Sequence, residues 1–171
     1  MEINAAPSHI VCVLKSPNKK DLSVNGLAYE RLSLHIGKFP CVMVVPDDIE
    51  IINGSSEVRR KLIDVLLSQL YPEYLQSLIT YNKLLQQRNS FLKSIIGQHV
   101  VNFSLLDVFD EQMHPPAVII HKHRKDLSEE LLPIIKKFYH LIAGVDEPVQ
   151  LFYRSSLNQI EFPNLLRQNP N

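Results

Sequence analysis

The chain has 171 residues, 18 Lys+Arg against 18 Asp+Glu, and 45% hydrophobic residues. That is the composition of a globular chain able to bury a core, and it excludes wholesale disorder. The even charge balance excludes a strongly basic chain whose partner is legible from net charge, while leaving room for a local basic face.

Residues 8–46 read as β-rich. His9 to Leu14 is a compact β-branched run, broken at Ser16-Pro17-Asn18. Leu22-Ser23-Val24 alternates, and Asn25-Gly26 is the strongest short turn signal in the chain. Leu27-Ala28-Tyr29 either pairs back or continues. Glu30 to Ile36 is predicted as a short helical stretch with Gly37 as its C′ residue. Cys41 to Val45 is apolar at every position and is predicted as a strand buried on both faces. Residues 47–143 read as helical. Ser55 or Ser56 can cap a helix carrying Val58, Leu62, Ile63, Leu66, Leu67 and Leu70 on one stripe. Pro72 opens the next helix, which is predicted to run to Ile96. Its heptad seam is Leu78, Leu85 and Leu92 beside Leu75, Asn82, Asn89 and Ile96. Gly97 to Phe103 connects to a third helical region capped by Ser104. Pro115-Pro116 is expected to end or sharply kink it, and Asp126-Leu127-Ser128-Glu129, with Pro133 close behind, suggests a second start. Gly144 closes this region. Val149 to Tyr153 is predicted as a return strand, and Phe162 to Arg167 as the opening turns of a final helix.

The predicted class is therefore α+β. A partial β-sheet has strands near 8–46 and 149–155, and a long antiparallel helical arm fills 47–143 between two visits to that sheet. The longest apolar run, Cys41 to Val45, is far below the ~20 residues of a membrane span. The N-terminal residues show no basic n-region or apolar h-region, so no secretory leader is expected. Two cysteines, Cys12 and Cys41, suit reduced thiols in a cytoplasmic protein.

Little in the residues points to catalysis. A phosphate-binding P-loop needs glycine, four residues, then Gly-Lys-Ser/Thr. At the Gly37-Lys38 pair, Leu32 stands in place of the first glycine and Phe39 in place of the hydroxyl residue. His121 and His123 lie two apart, so on a helix they face different ways and do not share a metal ion. The stretch Lys122, Arg124, Lys125 is read as a solvated face, with phosphate contact as the alternative. Asp47, Asp48 and Glu50 are read as helix caps ahead of acid–base groups. Arg59-Arg60-Lys61 opposes a helix dipole in its first turns, which calls for a compensating carboxylate or phosphate. A pairing of Arg60 with Asp64, or of both arginines with carboxylates such as Asp47, stands beside DNA contact.

From Pro46 to Asp64 the chain reads PDDIEIINGSSEVRRKLID, and this resembles the signature stretch of the RecF family of bacterial DNA replication and repair proteins. Pro46, Asp47, Ile51, Ile52, Gly54, Ser55, Ser56, Arg59, Arg60, Leu62, Ile63 and Asp64 fill the family pattern without a gap. Leu85 to Asn89, Leu92-Lys93, Leu106-Asp107 and Asp110 to Gln112 continue the likeness, which extends from about Ile10 to Asn169. Members are similar to SMC heads and are ABC-type ATPases about twice this long. The resemblance implies that this chain corresponds to the middle of such a protein. Residues 1–46 would be part of the ATPase-head sheet (lobe I), 47–143 the helical lobe II, and 144–171 a return to lobe I. The Walker A, signature and Walker B motifs would lie elsewhere. It further implies roles in DNA replication, repair, recombination and the SOS response. ATP and Mg would be cofactors of the full-length family, with none in this segment and no enzymatic activity of its own. By the same resemblance the partners are double-stranded DNA next to single-stranded gaps, RecO and RecR, and a second copy of the parent, in the service of loading RecA. Arg59, Arg60, Lys61, Arg88, Lys122, Arg124 and Lys125 are the candidate DNA-contact or lobe-bracing residues. A helical protein-interaction module without DNA contact is the alternative.

Overall fold

The computed structural model describes residues 7–15, 19–96, 104–145 and 147–168, and their side chains except those of Pro163, Arg167 and Gln168. The breaks expected at 16–18 and 97–103 lie outside the described residues. The chain opens as an antiparallel meander of β1 (Ile10–Lys15), β2 (Lys19–Val24) and β3 (Leu27–Ala28). Ile10 faces Val24 and Lys15 faces Lys19 across the first pair, and Val24 faces Leu27 across the second. Asn25 and Gly26 both have positive φ (52° and 81°), so this turn matches the right-handed strand twist. The Asn25 side chain also accepts the His9 N–H at 2.7 Å.

A 3₁₀ turn at Leu32–His35 leads to Gly37, whose φ is +83°. A Cβ on Gly37 would lie 2.5 Å from the backbone oxygen of Gln69. The Gln69 side chain in turn accepts the Cys41 N–H at 2.9 Å. One residue thus pins the 37–41 loop to the end of a helix.

The α+β class holds, but two expected strands do not form. Cys41–Val45 has no strand partner among the described residues, and Val42, Met43 and Val44 are 80–82% exposed. Residues 149–153 likewise carry no ladder, and Phe152 is exposed. A strand that is apolar on both faces needs neighbours on each side to satisfy its backbone and cover its side chains. Neither stretch meets such a neighbour here.

The helices are α1 (Glu50–Asn53), α2 (Ser56–Leu70), α3 (Pro72–Ile95), α4 (Ser104–Ala143) and α5 (Phe162–Gln168). Ser55 caps α2 by accepting the Glu57 N–H at 3.3 Å. Tyr71, with extended backbone, separates α2 from α3, and Pro72 takes the first turn of α3. α3 and α4 form the main antiparallel hairpin. Arg88 meets Asp110, Phe91 meets Phe109, and Tyr74 meets Arg124 in opposite chain directions.

The buried side of α3 is wider than the expected seam. Leu75 is buried and Leu78, Leu85 and Leu92 are half-buried, as the seam has them, and one position ahead Tyr74, Ser77, Leu84 and Arg88 are buried with Tyr81 and Phe91 half-buried. Asn82, Asn89 and Ile96 of the seam are exposed. Aromatic rings bury more apolar area than asparagine, so they take the contact where the seam is polar.

α4 is also unlike the expectation. It runs 40 residues through Pro115, Pro116 and Pro133 without a break. Each proline removes a helical N–H, at a cost of about 3 kcal/mol in an ordinary interior. The carbonyls left without partners belong to Glu111, Gln112 and Glu129, which are exposed to water. Asp126, first residue of the expected capping box, lies inside α4, and Ser128 donates its hydroxyl back to the Arg124 carbonyl at 2.7 Å.

The core lies along the hairpin. Leu84, Met113 and Ala117 receive Phe162 from α5, and Leu67, Tyr74 and Ile120 join α2, α3 and α4. The half of α4 beyond Asp126 passes the start of α3 and carries exposed Ile134, Phe138, Leu141 and Ile142. Replacing Gly37 by alanine is expected to lower the unfolding free energy by about 1–3 kcal/mol. Urea denaturation reads this directly, and an unchanged midpoint would show that Gln69 does not constrain the loop.

Candidate functional site

The signature stretch is built as a compact joint. Pro46 opens a 3₁₀ turn over Pro46–Ile49, and Asp48 accepts the Val45 N–H at 2.8 Å. Capping is therefore the role found for Asp48; Asp47 is exposed beside it. Gly54 ends α1 with its N–H 2.7 Å from the Glu50 carbonyl, and a Cβ there would lie 2.5 Å from that same oxygen. Arg59 reaches back over this turn. Its Nη1 donates to the carbonyls of Ile51 at 3.2 Å and Gly54 at 3.0 Å. These carbonyls, rather than a carboxylate such as Asp47, are its partners. Arg60 donates to Ser56 Oγ at 3.0 Å rather than pairing with Asp64.

Asp64 has other partners. Arg124 of α4 grips it with a fork, Nε to Oδ1 at 2.9 Å and Nη2 to Oδ2 at 2.8 Å. Tyr74 of α3 donates its hydroxyl to Oδ1 at 2.5 Å and accepts from Arg124 Nε at 3.2 Å. Burial, reinforced by this hydrogen bond to Asp64, pushes the Tyr74 hydroxyl far above its ordinary range, so it stays a donor. The Arg124 charge is held on by Tyr74 and Asp64, although burial works against it. One carboxylate thus joins three helices. A second pair, Arg88 Nε to Asp110 Oδ1 at 2.8 Å, ties α3 to α4 nearer the other end of the hairpin.

The candidate basic residues fall into two groups. Arg59, Arg60, Arg88 and Arg124 each donate to groups within the chain, and Arg88 is 5% exposed. Lys61, Lys122 and Lys125 are exposed, and none forms an ion pair among the described residues. His121 and His123 point to different places, as their spacing requires. His123 lies against the rings of Tyr71 and Tyr74, with Nε2 3.0 Å from Glu73. His121 lies against Tyr153, with ring centroids 5.5 Å apart. Among the described residues no three His, Cys, Asp or Glu side chains cluster as a metal site. No helix among them is long and apolar enough to cross a membrane.

A cleft of about 290 Å³ opens where the returning segment crosses the hairpin. Asp64, Asn82, His121, Arg124 and Tyr153 form its polar side, and Leu78, Ile120, Leu157 and Phe162 are among its apolar walls. His121 Nδ1 is buried there without a hydrogen-bond partner. Burial, followed by the nearby Lys125 charge, lowers the His121 pKa from its ordinary value and favours the neutral imidazole. Tyr74, Asp110 and Tyr153 were not singled out from the sequence. Their partners lie 10 to 50 positions away, and no local spacing marks them.

These features define a helical hairpin, braced by partly buried ion pairs, in a chain that also carries a small antiparallel sheet. The chain is RecF-like along its whole length. It is 39% identical over 171 residues to the DNA replication and repair protein RecF of Flavobacterium johnsoniae, covering all of this chain and 48% of that protein. The RecF of Porphyromonas gingivalis is 43% identical over 151 residues, which is 88% of this chain and 40% of that one. A solved recombination mediator RecF–ATP structure superposes with a TM-score of 0.81 at 29% identity, over 95% of this chain and 45% of that one. A second, RecF with ATPrS, gives 0.80 at 30% identity, over 94% of this chain and 43% of that one. The chain thus spans about half the length of the curated relatives it matches. No protein-family model matches it.

Asp64→Ala is expected to cost about 3 kcal/mol, because Arg124 is left partly buried without its counter-charge. Thermal and urea unfolding measure this. If the Asp64→Ala, Arg124→Met double variant is no more stable than Asp64→Ala alone, the stranded charge is not the cause.

Proposed function

We propose that the chain acts as a segment of a RecF-type DNA replication and repair protein, supplying its helical arm and part of the head sheet. The divisions 1–46, 47–143 and 144–171 are the working units of this reading. The observation that carries it is the match to RecF proteins over the entire chain, in sequence and in structure. In this reading ATP and Mg bind elsewhere in the full-length protein, and the segment has no ATPase site of its own. It acts in the cytoplasm on duplex DNA next to single-stranded gaps, with RecO, RecR and a second RecF copy as partners and RecA loading as the outcome. The division among basic residues supports a division of labour. The four arginines brace the arm, while Lys61, Lys122 and Lys125 are left to meet phosphates.

Few phosphate contacts give weak, salt-sensitive binding with a shallow slope. Lys122→Ala with Lys125→Ala should weaken gapped-duplex binding at low salt and reduce the slope of log K against log salt by about 2. Fluorescence anisotropy against an acidic control protein measures this. Wild-type binding no stronger than the control removes the DNA reading for this segment.

A second reading, a helical protein-interaction module, is favoured by one observation. The exposed stripe Ile134, Phe138, Leu141 and Ile142 lies on the part of α4 that no other helix covers. The Pro72–Ile95 helix is less suited to that role, because its apolar face is already packed on α4. Association through the stripe predicts a concentration-dependent sedimentation coefficient that Phe138→Glu abolishes. A monomer at all concentrations speaks against self-association.

A further inference from the structure

α4 carries one seam from end to end, and the hairpin covers only its first part. Leu106, Asp110, Met113, Ala117, Ile120 and Arg124 recur at alternating spacings of four and three, and all are buried or half-buried in the hairpin. Leu127, Leu131, Ile134, Phe138 and Leu141 continue the same spacing without a slip. This is the heptad repeat by which one helix packs along another. α3 does not reach the second part. It begins at Pro72, and Glu73 already meets His123. Exposure accordingly rises outward, from half-buried Leu127 and Leu131 to 49% at Ile134, 55% at Phe138 and 65% at Leu141.

Charge says what fits on this open seam. Glu129 and Glu130 lie on one side of its middle, and Lys136 and Lys137 on the other. All four are exposed, and none forms an ion pair among the described residues. The segment therefore carries opposite charges at its two ends, and it complements itself only when reversed. We propose that the outer half of α4 packs against the same segment of a second copy of this chain, antiparallel, about a two-fold axis between Leu132 and Pro133. This rests on the interaction-module reading above and gives it a partner and a register.

The heptad selects that register. Leu131 and Phe138 occupy a positions, Leu127, Ile134 and Leu141 d positions, and Glu130 and Lys137 the flanking g positions. In an antiparallel pair, a layers on d and g faces g. With the axis at 132–133, Leu131 meets Ile134 of the second copy, Phe138 meets its Leu127, and Glu130 lies beside its Lys137. The two-fold makes that charge pair twice. Sliding by one heptad brings Lys137 beside Lys137 in one direction and Glu130 beside Glu130 in the other. A parallel pair brings g beside e, where Ile135 and Ile142 stand, and leaves like charges level with one another. The seam is short, which places the contact among weak, reversible interfaces.

The test is sedimentation of the whole chain over a wide concentration range at low salt, where exposed charge pairs are least screened. The expected result is a reversible monomer–dimer equilibrium. Glu130→Lys alone and Lys137→Glu alone should each weaken it about tenfold, because two attractive cross pairs become two repulsive ones. The double variant Glu130→Lys, Lys137→Glu should restore it. The two positions are seven apart on one helix and too distant to pair within a chain, so rescue reports contact between copies. Both side chains are exposed, and the fold does not depend on them. Association that Phe138→Glu abolishes but the charge variants leave unchanged keeps the interaction module and overturns the antiparallel register. So does a double variant no stronger than the singles. A monomer at all concentrations overturns the second copy as the occupant.

Discussion

The arm depends on the Asp64 carboxylate. Apolar contacts between helices are non-directional, and α3 carries a broad apolar face. Leu75, Leu78, Leu85 and Leu92 lie beside Tyr74, Tyr81, Leu84 and Phe91, and all eight are buried or half-buried. A face this broad can pack at more than one rotation. A hydroxyl and a guanidinium that must converge on one carboxylate cannot tolerate a rotation of about 100° per residue. With Tyr74 on Asp64 and Arg88 on Asp110, a single rotation of α3 satisfies both ends of the hairpin. A buried ion pair adds little net stability over an apolar replacement. Its effect here is to select one packing among near-equals.

The same fork separates the structural from the available charge. Arg124 is neutralised at the junction, while Lys122 and Lys125 on either side of it project into solvent. Arg59, five residues ahead of Asp64 in α2, closes over the Gly54 turn and thereby fixes how α2 leaves α1. The signature residues from Pro46 to Asp64 thus act mainly on one another and on α4. A basic triplet against a helix dipole calls for a compensating carboxylate or phosphate. For Arg59 the compensation is internal, from two carbonyl oxygens.

Much of this was legible in the sequence where the cause is local. The Asn25-Gly26 turn, the Ser55 cap, the Pro72 start, the Gly37 turn and the Phe162 helix all follow from residues within a few positions. What was not legible depends on distant partners. The leucines of the seam are covered and its asparagines are not, because the aromatics one position ahead carry buried area that Asn82 and Asn89 cannot. The break at Pro115-Pro116 was expected from propensity, and α3 packed along α4 overrides it, with the freed carbonyls on exposed residues. The Arg124–Asp64 pair spans 60 residues. No periodicity could have shown that the arginine of a basic run is the buried one.

The unformed strands carry a different lesson. Cys41 to Val45 is apolar at each position, and β1 is nearly so, yet all of these residues are exposed. An apolar run of this kind is stable in the open only at the expense of uncovered surface, and an unpaired strand edge invites pairing. The same holds for Phe152 and for the stripe from Ile134 to Ile142. These surfaces belong to the sheet segments and to the outer end of α4, whereas the middle of the hairpin, with Asp64, Arg124 and Arg88, is satisfied within the chain. Apolar surface that the described residues leave uncovered is thus concentrated in the sheet segments and the outer end of α4. The hairpin holds its geometry through its own ion pairs, whose partners both come from within the chain.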